Sequence, residues 1–240
     1  MQIKLTLEPR QPFAIPLSYH YQIQSAIYHL LNVNPDYAHF LHDTGYGSTS
    51  SRFRLFTFGG LSGKCRIVGK EMQIEGRITL EIRSISEEFC KILKQALLER
   101  EEFRLFDQTL SVRMIEVGEK HVTAERVSIV TRSPIVVKCS DEAGKTIYYA
   151  PHDAEFLPLL QNNYIRKYVA CFGTEPEGGI LLLPQNQPRK VVTRCKGIWV
   201  TAYHGKFLLI GKPESLDLLY QTGLGSKNAQ GFGMFDIIDD

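Results

Sequence analysis

The sequence predicts an α+β fold in which the order β-α-β-β-α-β occurs twice. Each half of the chain carries two stretches of helical periodicity, flanked by short segments of alternating or continuous apolar character. The 240 residues are 43% hydrophobic, 22% charged and 10% aromatic, which excludes a disordered or collagen-like chain. Two such units in succession are typical of tandem ferredoxin-like domains. We place these domains at residues 1–118 and 122–240, with a linker near 118–121.

The first unit begins with a strand over residues 2–7, where polar and apolar residues alternate. A helix is predicted over 19–31, because its apolar residues recur at i, i+3, i+4, i+7 and i+8. Asn34 and Pro35 end this helix and begin a short second one that reaches about His42. The remaining predicted elements are a Gly/Ser-rich loop over 44–51, strands near 53–58, 64–69 and 72–83, a helix over 86–100, and strands near 103–106 and 109–117.

The second unit repeats this order of elements without a repeat in the sequence itself. Its two helices are expected over about 153–170 and from Pro213 onward, where a proline suits the first helical position. The predicted strands lie near 122–130, 134–139, 146–149, 179–183, 190–194, 196–210 and 233–238. The strand–helix alternation in both halves is what favours the tandem arrangement.

The cysteines and the apolar runs exclude several classes of protein. The five cysteines are separated by 25, 49, 32 and 24 residues, and neither C-x-x-C nor H-E-x-x-H occurs, so no metal site or redox pair is predicted. Apolar runs such as 207–210 are far shorter than the roughly 20 residues of a membrane span. Residues 1–7 alternate instead of forming the apolar core of a signal peptide. We therefore expect a cytoplasmic protein with reduced thiols, no cofactor and no membrane association.

The charge distribution indicates an anion-binding surface. The net charge is only +2, from 28 basic and 26 acidic residues. Residues 44–70 and 178–213, however, carry eleven arginines and lysines between them and no acidic residue. Such a local excess favours an anionic partner, although solubilising charge on exposed strands remains an alternative.

The most unusual segment is a loop at residues 223–233 with four glycines, a lysine and an asparagine. Glycines let the backbone approach a ligand, and backbone N–H groups together with Lys227 suit phosphate groups. The spacing does not match a P-loop. The chain that follows is too short for a dinucleotide-binding unit.

This loop, with residues 234–237 after it, resembles the C-terminal motif of the CRISPR-associated repeat-processing endoribonucleases. Residues 24–28, 40–42 with 54–57, and 131–135 are also similar to segments of that family, so the resemblance extends over essentially the whole chain. It implies tandem ferredoxin-like domains and cleavage of precursor guide RNA within its repeats. It further implies a reaction without metal, in which the ribose 2′-hydroxyl attacks the adjacent phosphate and leaves a 2′,3′-cyclic phosphate and a 5′-hydroxyl.

By this resemblance Tyr28, His42 and Arg54 are the candidate catalytic residues. The reaction needs a base, an acid and positive charge around the phosphorane. Arg54 stands where the family often has lysine, so it can hold phosphate but does not donate a proton. The acid role therefore falls to His42 and the base role to Tyr28, which lies outside the apolar stripe of its helix. His20 remains open as an alternative partner of His42.

The expected partner is CRISPR repeat RNA, and a homodimer or association with a CRISPR effector complex stays open. Trp199 and Tyr203 alternate on a strand, where a place in the core is favoured over stacking on bases. Two other functions are alternatives: a guide-RNA-binding subunit that does not cut, and a ferredoxin-like enzyme whose loop holds a phosphorylated metabolite. The residues expected to contact RNA are Gly223, Gly225, Lys227, Asn228, Gly231, Gly233, Arg52, Arg194 and Lys196.

Overall fold

A computed structural model describes residues 1–48 and 51–238, and in it the first half of the chain forms one antiparallel sheet with helices on it. The sheet has the strand order β2-β7-β1-β9-β8, and β5 and β6 also pair with β7. The elements are β1 (Gln2–Pro9), β2 (Phe13–Pro16), α1 (His20–Leu31), α2 (Pro35–His39), β3 (Tyr46–Ser48), β4 (Ser51–Phe53), β5 (Phe56–Phe58), β6 (Ser62–Val68), β7 (Glu71–Ser84), α3 (Glu87–Arg100), β8 (Glu102–Leu105) and β9 (Gln108–Gly118).

The second half forms another antiparallel sheet, with the strand order β13-β16-β10-β17. Among the described residues, three antiparallel strand pairs, β3–β4, β11–β12 and β14–β15, are separate from the two sheets. The elements of this half are β10 (Arg126–Thr131), β11 (Lys138–Ser140), β12 (Thr146–Tyr148), α4 (Phe156–Phe172), β13 (Leu181–Pro184), β14 (Arg189–Cys195), β15 (Ile198–His204), β16 (Lys206–Ile210), α5 (Pro213–Thr222) and β17 (Phe235–Ile238).

In each sheet, the two central strands are those that come first and third in the β-α-β-β-α-β order of the unit. In the first sheet these strands are β1 and β7, with β9 beside β1. In the second they are β10 and β16, with β17 beside β10. One helix follows the first strand and another follows the third, so each unit has the β-α-β-β-α-β connectivity. The tandem ferredoxin-like fold predicted from the sequence is confirmed.

The local predictions were wrong in several places. The expected strand over 196–210 is two strands, because Gly205 interrupts it and β15 pairs with β14 instead of continuing into the sheet. The strand expected over 134–139 begins only at Lys138. β2 was missed. β3 and the first residue of β4 lie within the loop predicted over 44–51. Residues 49–50 of that loop fall outside the described residues, as do 239–240.

The two halves are joined through a buried arginine. Arg83 on β7 is only 1% exposed, and its guanidinium donates to the carbonyl of Phe235 at 2.6 Å and to Asp236 at 2.7 Å, both on β17. It also pairs with Glu81 and lies 4.0 Å over the ring of Tyr220. A guanidinium so deeply buried is destabilising unless it is paired and hydrogen-bonded, and here Nε, Nη1 and Nη2 each have an acceptor. The two sheets are therefore held at a fixed junction.

No helix within residues 1–48 and 51–238 combines the length and the apolar character needed to cross a lipid bilayer.

Candidate functional site

A cleft of about 600 Å³ opens between α1, α4 and the glycine-rich loop 223–233. The segment 51–56 and the turn between β14 and β15 complete its walls. Among the described residues that line it there is no aspartate or glutamate. This concentration of positive charge favours an anionic ligand. The basic residues that line it are Arg52, Arg54, Arg166, Lys167, Lys196 and Lys227.

His42 enters the cleft because the chain tightens after α2. The amide oxygen of Asn34 accepts from the backbone N–H of Tyr37 and so caps α2. One π-helical turn, Phe40–Thr44, follows and ends at Gly45, whose φ is +64°. A Cβ on Gly45 would lie 2.5 Å from the carbonyl oxygen of Phe53, so only glycine fits this close return of the chain.

The rings of His42 and Tyr28 meet edge to face with centroids 5.7 Å apart. Tyr28 projects from α1, whose opposite face is buried in the core. The Arg54 guanidinium donates to the carbonyl oxygen of His42, so the cation is fixed beside the histidine. The structure thus brings together all three residues named as catalytic candidates.

Asp43 orients the imidazole of His42. The Nδ1 atom of His42 lies 2.6 Å from Asp43 Oδ1, and this hydrogen bond lowers the pKa of the Asp43 carboxyl. Arg52 donates to the backbone carbonyl of Asp43 at 2.7 Å and steadies the turn. Because Nδ1 is held by the carboxylate, Nε2 is the nitrogen left to exchange a proton with a substrate.

Burial raises the pKa of the Tyr28 phenol, and the nearby Arg54 guanidinium offsets this only in part. A raised pKa keeps the phenol protonated at neutral pH, so it donates a hydrogen bond. The base role that the resemblance leaves to Tyr28 requires the opposite shift. The raised pKa favours a hydrogen-bond donor at this position.

His20 has a different environment from His42. Its ring packs edge-on against the rings of Tyr19, Phe58 and Phe232, at centroid distances of 5.0, 6.1 and 5.6 Å. Burial lowers its pKa to about 4. It does not line the cleft, so Tyr28 and not His20 is the neighbour of His42.

Lys167 anchors the glycine-rich loop and was missed by the sequence analysis. Its side chain is only 1% exposed, and its Nζ donates to the carbonyl of Gly223 at 2.5 Å and to Asn228 Oδ1 at 2.8 Å. Burial lowers its pKa to about 7. The sequence did contain an indication of this role. Lys167 lies on the same face of α4 as the buried Leu160 and Tyr164, where an apolar residue is expected.

Asn228 holds the loop from within. Its amide nitrogen donates to the carbonyls of Leu224 and Phe232, each at 3.0 Å. A Cβ on Gly231 would lie 2.4 Å from the Phe58 ring, and one on Gly233 would lie 2.0 Å from the Leu224 carbonyl oxygen. These glycines allow the loop to fold onto itself and onto the core, so their role is packing.

The predicted RNA contacts therefore divide into two groups. Five of them line the cleft, namely Arg52, Gly225, Lys227, Asn228 and Lys196. Four do not line it: Gly223, Gly231 and Gly233 are buried, and Arg194 lies on the outer hairpin, 5.9 Å over the ring of Trp199.

The β14–β15 hairpin reaches across from the second half of the chain to the first. At its turn Lys196 lies 5.2 Å over the ring of Tyr21 on α1, which extends the cationic wall. Trp199 on the same hairpin is 63% exposed. The core position favoured for Trp199 from the sequence is wrong, because β15 leaves the main sheet.

Comparison with known proteins identifies the family. The model of the family described as CRISPR-associated protein Cas6, N-terminal, matches residues 14–116, and that of CRISPR-associated protein Cas6, C-terminal, matches residues 116–237. The boundary between the two matches falls at the end of β9.

Similar proteins extend over the whole chain. The CRISPR-associated endoribonuclease Cas6 1 of Methanocaldococcus jannaschii is 28% identical over 100% of this chain and 94% of its own. The CRISPR-associated endoribonuclease Cas6 of Pyrococcus furiosus is 27% identical over 98% of this chain and 88% of its own. A solved structure of a Cas6-related gene product from Pyrococcus furiosus superposes with a TM-score of 0.87 at 24% identity, over 100% and 99% of the two chains. This chain belongs to the CRISPR-associated protein Cas6 family.

Proposed function

We propose that this protein is an endoribonuclease that cleaves CRISPR repeat RNA in the cationic cleft. The observation that carries the proposal is the meeting of His42, Tyr28 and Arg54 at one end of a cleft lined by six basic residues. Relatives that share the full length of the chain carry the name CRISPR-associated endoribonuclease Cas6, and RNA supplies the phosphates that such a cleft fits.

The proposed reaction uses the nucleophile of the RNA itself. The ribose 2′-hydroxyl attacks the adjacent phosphorus and loses its proton to water. The bond from phosphorus to the 5′-oxygen breaks, and His42 Nε2 protonates that oxygen. The products are a 2′,3′-cyclic phosphate and a 5′-hydroxyl.

The surrounding groups stabilise the phosphorane. Arg54 and Arg52 place two guanidinium groups beside the His42 turn, where they can hold nonbridging oxygens of the phosphate. The neutral phenol of Tyr28 donates a further hydrogen bond to the same group. Because the chain supplies this charge itself, we propose that cleavage requires no metal ion.

A comparison of two histidine variants tests the proposal. His42→Ala is expected to abolish cleavage of labelled repeat RNA and to leave the dissociation constant within about threefold, because the remaining cations hold the phosphates. His39→Ala is the matched control, since His39 is an exposed residue one turn earlier that does not line the cleft, and it should cut at the wild-type rate.

Two conditions separate this mechanism from its alternatives. Cleavage should continue in excess EDTA, and a 2′-deoxy nucleotide on the 5′ side of the scissile phosphate should stop it while binding persists. A wild-type protein that binds repeat RNA without cutting would instead be a guide-RNA-binding subunit. Absence of RNA binding at micromolar concentration would point to a phosphorylated metabolite as the ligand.

A further inference from the structure

Within residues 1–48 and 51–238, the buried side-chain polar atoms that lack a hydrogen-bond partner all belong to residues that line the same cleft. They are Gln24 Oε1, Ser51 Oγ and Asn163 Oδ1. Gln24 is only 7% exposed. Buried polar groups are normally satisfied, because an unpaired one costs the free energy of its lost hydration. Their concentration in one cleft indicates that a ligand supplies the missing partners.

These atoms lie among the residues assigned to catalysis and to the glycine-rich loop. Gln24 is one helical turn before Tyr28 on α1, and Asn163 is one turn before Lys167 on α4. Ser51 begins β4, directly before Arg52. The unpaired oxygens therefore border the place where the scissile phosphate is held in the proposed function.

A phosphate does not satisfy them. A phosphodiester carries no hydrogen to donate, so it can pair with the arginines and lysines of the cleft but not with an amide oxygen. A nucleobase can do so. The exocyclic amine of adenine, cytosine or guanine offers two N–H donors, and an unprotonated ring nitrogen beside that amine accepts a hydrogen bond from a hydroxyl. Uracil offers a single N–H between two carbonyl oxygens.

We propose that Gln24, Ser51 and Asn163 form a base-reading pocket that selects a base with an exocyclic amine, and so rejects uracil, next to the scissile phosphate. The two amide oxygens accept from the exocyclic amine, and the Ser51 hydroxyl donates to the neighbouring ring nitrogen. This inference rests on the proposed function, since it takes RNA as the ligand.

The pocket has a consequence for the protein without RNA. Gln24→Met replaces an unpaired buried amide by an apolar side chain of similar length, so the melting temperature of the free protein should stay the same or rise. A purely structural amide would behave in the opposite way. A fall in melting temperature beyond that of Gln22→Met, a change two residues away outside the cleft, would contradict the claim that Gln24 is unpaired.

The decisive experiment removes the amine from the RNA. The nucleotides flanking the cleavage site are replaced one at a time, adenosine by purine riboside, cytidine by 2-pyrimidinone riboside or guanosine by inosine. At one flanking position the wild-type protein should lose roughly 10- to 100-fold in cleavage rate or affinity, because the two hydrogen bonds that the amine donates are both lost. Gln24→Met and Asn163→Leu should each reduce this preference, and the double variant should treat the two RNAs alike.

The matched controls are Gln22→Met and Asn162→Leu, which change the same residue types on the same helices outside the cleft. They should keep the full wild-type preference. The pocket is excluded if Gln24→Met and Asn163→Leu also keep it, or if no flanking amine affects the wild-type protein. The base preference can also be measured as binding to an uncleavable 2′-deoxy RNA. A protein that shows the preference in binding but does not cleave RNA would contradict the proposed nuclease function and not the pocket.

Discussion

At the scale of single residues, the position of His42 depends on its neighbours more than on its own side chain. The Asn34 cap and the left-handed Gly45 make the chain turn back, so that His42 reaches Tyr28 across a 14-residue separation. The helical phase of Tyr28 was visible in the sequence, because it lies outside the apolar stripe. The π-helical turn was not, because a five-residue turn leaves no periodic pattern.

The protonation state of Tyr28 can be tested by removing its hydroxyl. Tyr28→Phe keeps the ring contact with His42 and loses the donor, so the cleavage rate should fall roughly 10- to 100-fold, as expected for a hydrogen bond to a charged group. Because the phenol has a raised pKa, the shape of the pH–rate profile between pH 6 and 9 should not change. Loss of a basic limb in the variant would instead identify Tyr28 as the base.

His20 should make the stability of the protein depend on pH. Its folded-state pKa is about 4 and its ordinary value is 6.5, mainly because of burial and also because of the nearby His204. Between these values the unfolded chain binds more protons than the folded one. The free energy of unfolding is therefore unaffected by the titration of His20 above about pH 6.5. It decreases as the pH falls toward 4, by up to about 3 kcal/mol.

The test compares the urea midpoints of wild type and His20→Phe at pH 7.5 and pH 5. Phenylalanine preserves the aromatic packing against Phe58 and Phe232, and it does not titrate. The variant should lose less stability at pH 5 than the wild type. An equal loss in both proteins would mean that other groups account for the acid sensitivity, and exposed His39→Phe should behave as wild type.

At the scale of elements, the glycine-rich loop illustrates what a motif does and does not predict. Its sequence identified the segment that borders the cleft, but it did not distinguish the glycines that pack from the backbone that faces a ligand. That distinction depends on Phe58, which comes from a distant strand, and on how the loop folds back onto its own Leu224. Lys167 was missed for the same reason, since its partners Gly223 and Asn228 are more than 50 residues away.

Removing the Lys167 ammonium should loosen the loop. Lys167→Met keeps the length of the side chain but leaves the Gly223 carbonyl and Asn228 Oδ1 without a donor. We expect faster hydrogen exchange in loop amides 223–233 and an affinity for repeat RNA lower by about tenfold or more. Lys91→Met on the exposed face of α3 should change neither. Unaltered exchange in the loop would show that Asn228 alone maintains it.

At the scale of the whole molecule, the order of elements was predictable and the junction between the two halves was not. Helical periodicity and alternating strands identified both units, and the order of their strands in the sheets follows from that connectivity. β7, however, ends in three consecutive buried residues, Ile82, Arg83 and Ser84. A strand with one covered face would alternate there. The second half covers its other face, and no local pattern indicates that packing.

Replacing the buried Arg83 should therefore destabilise the protein far more than replacing an exposed arginine of the same strand. In Arg83→Met the Phe235 carbonyl and the Asp236 carboxylate lose their buried donor, and breaking one side of such a pair typically destabilises a protein by about 3–5 kcal/mol. Arg77→Met on the same strand breaks an exposed ion pair with Glu8, which should cost about 1 kcal/mol or less. Urea denaturation compares the two variants directly.

Because the partners of Arg83 belong to the other sheet, hydrogen exchange in β17 should also accelerate in Arg83→Met and not in Arg77→Met. Equal stability of the two variants would mean that the apolar contacts alone hold the sheets together.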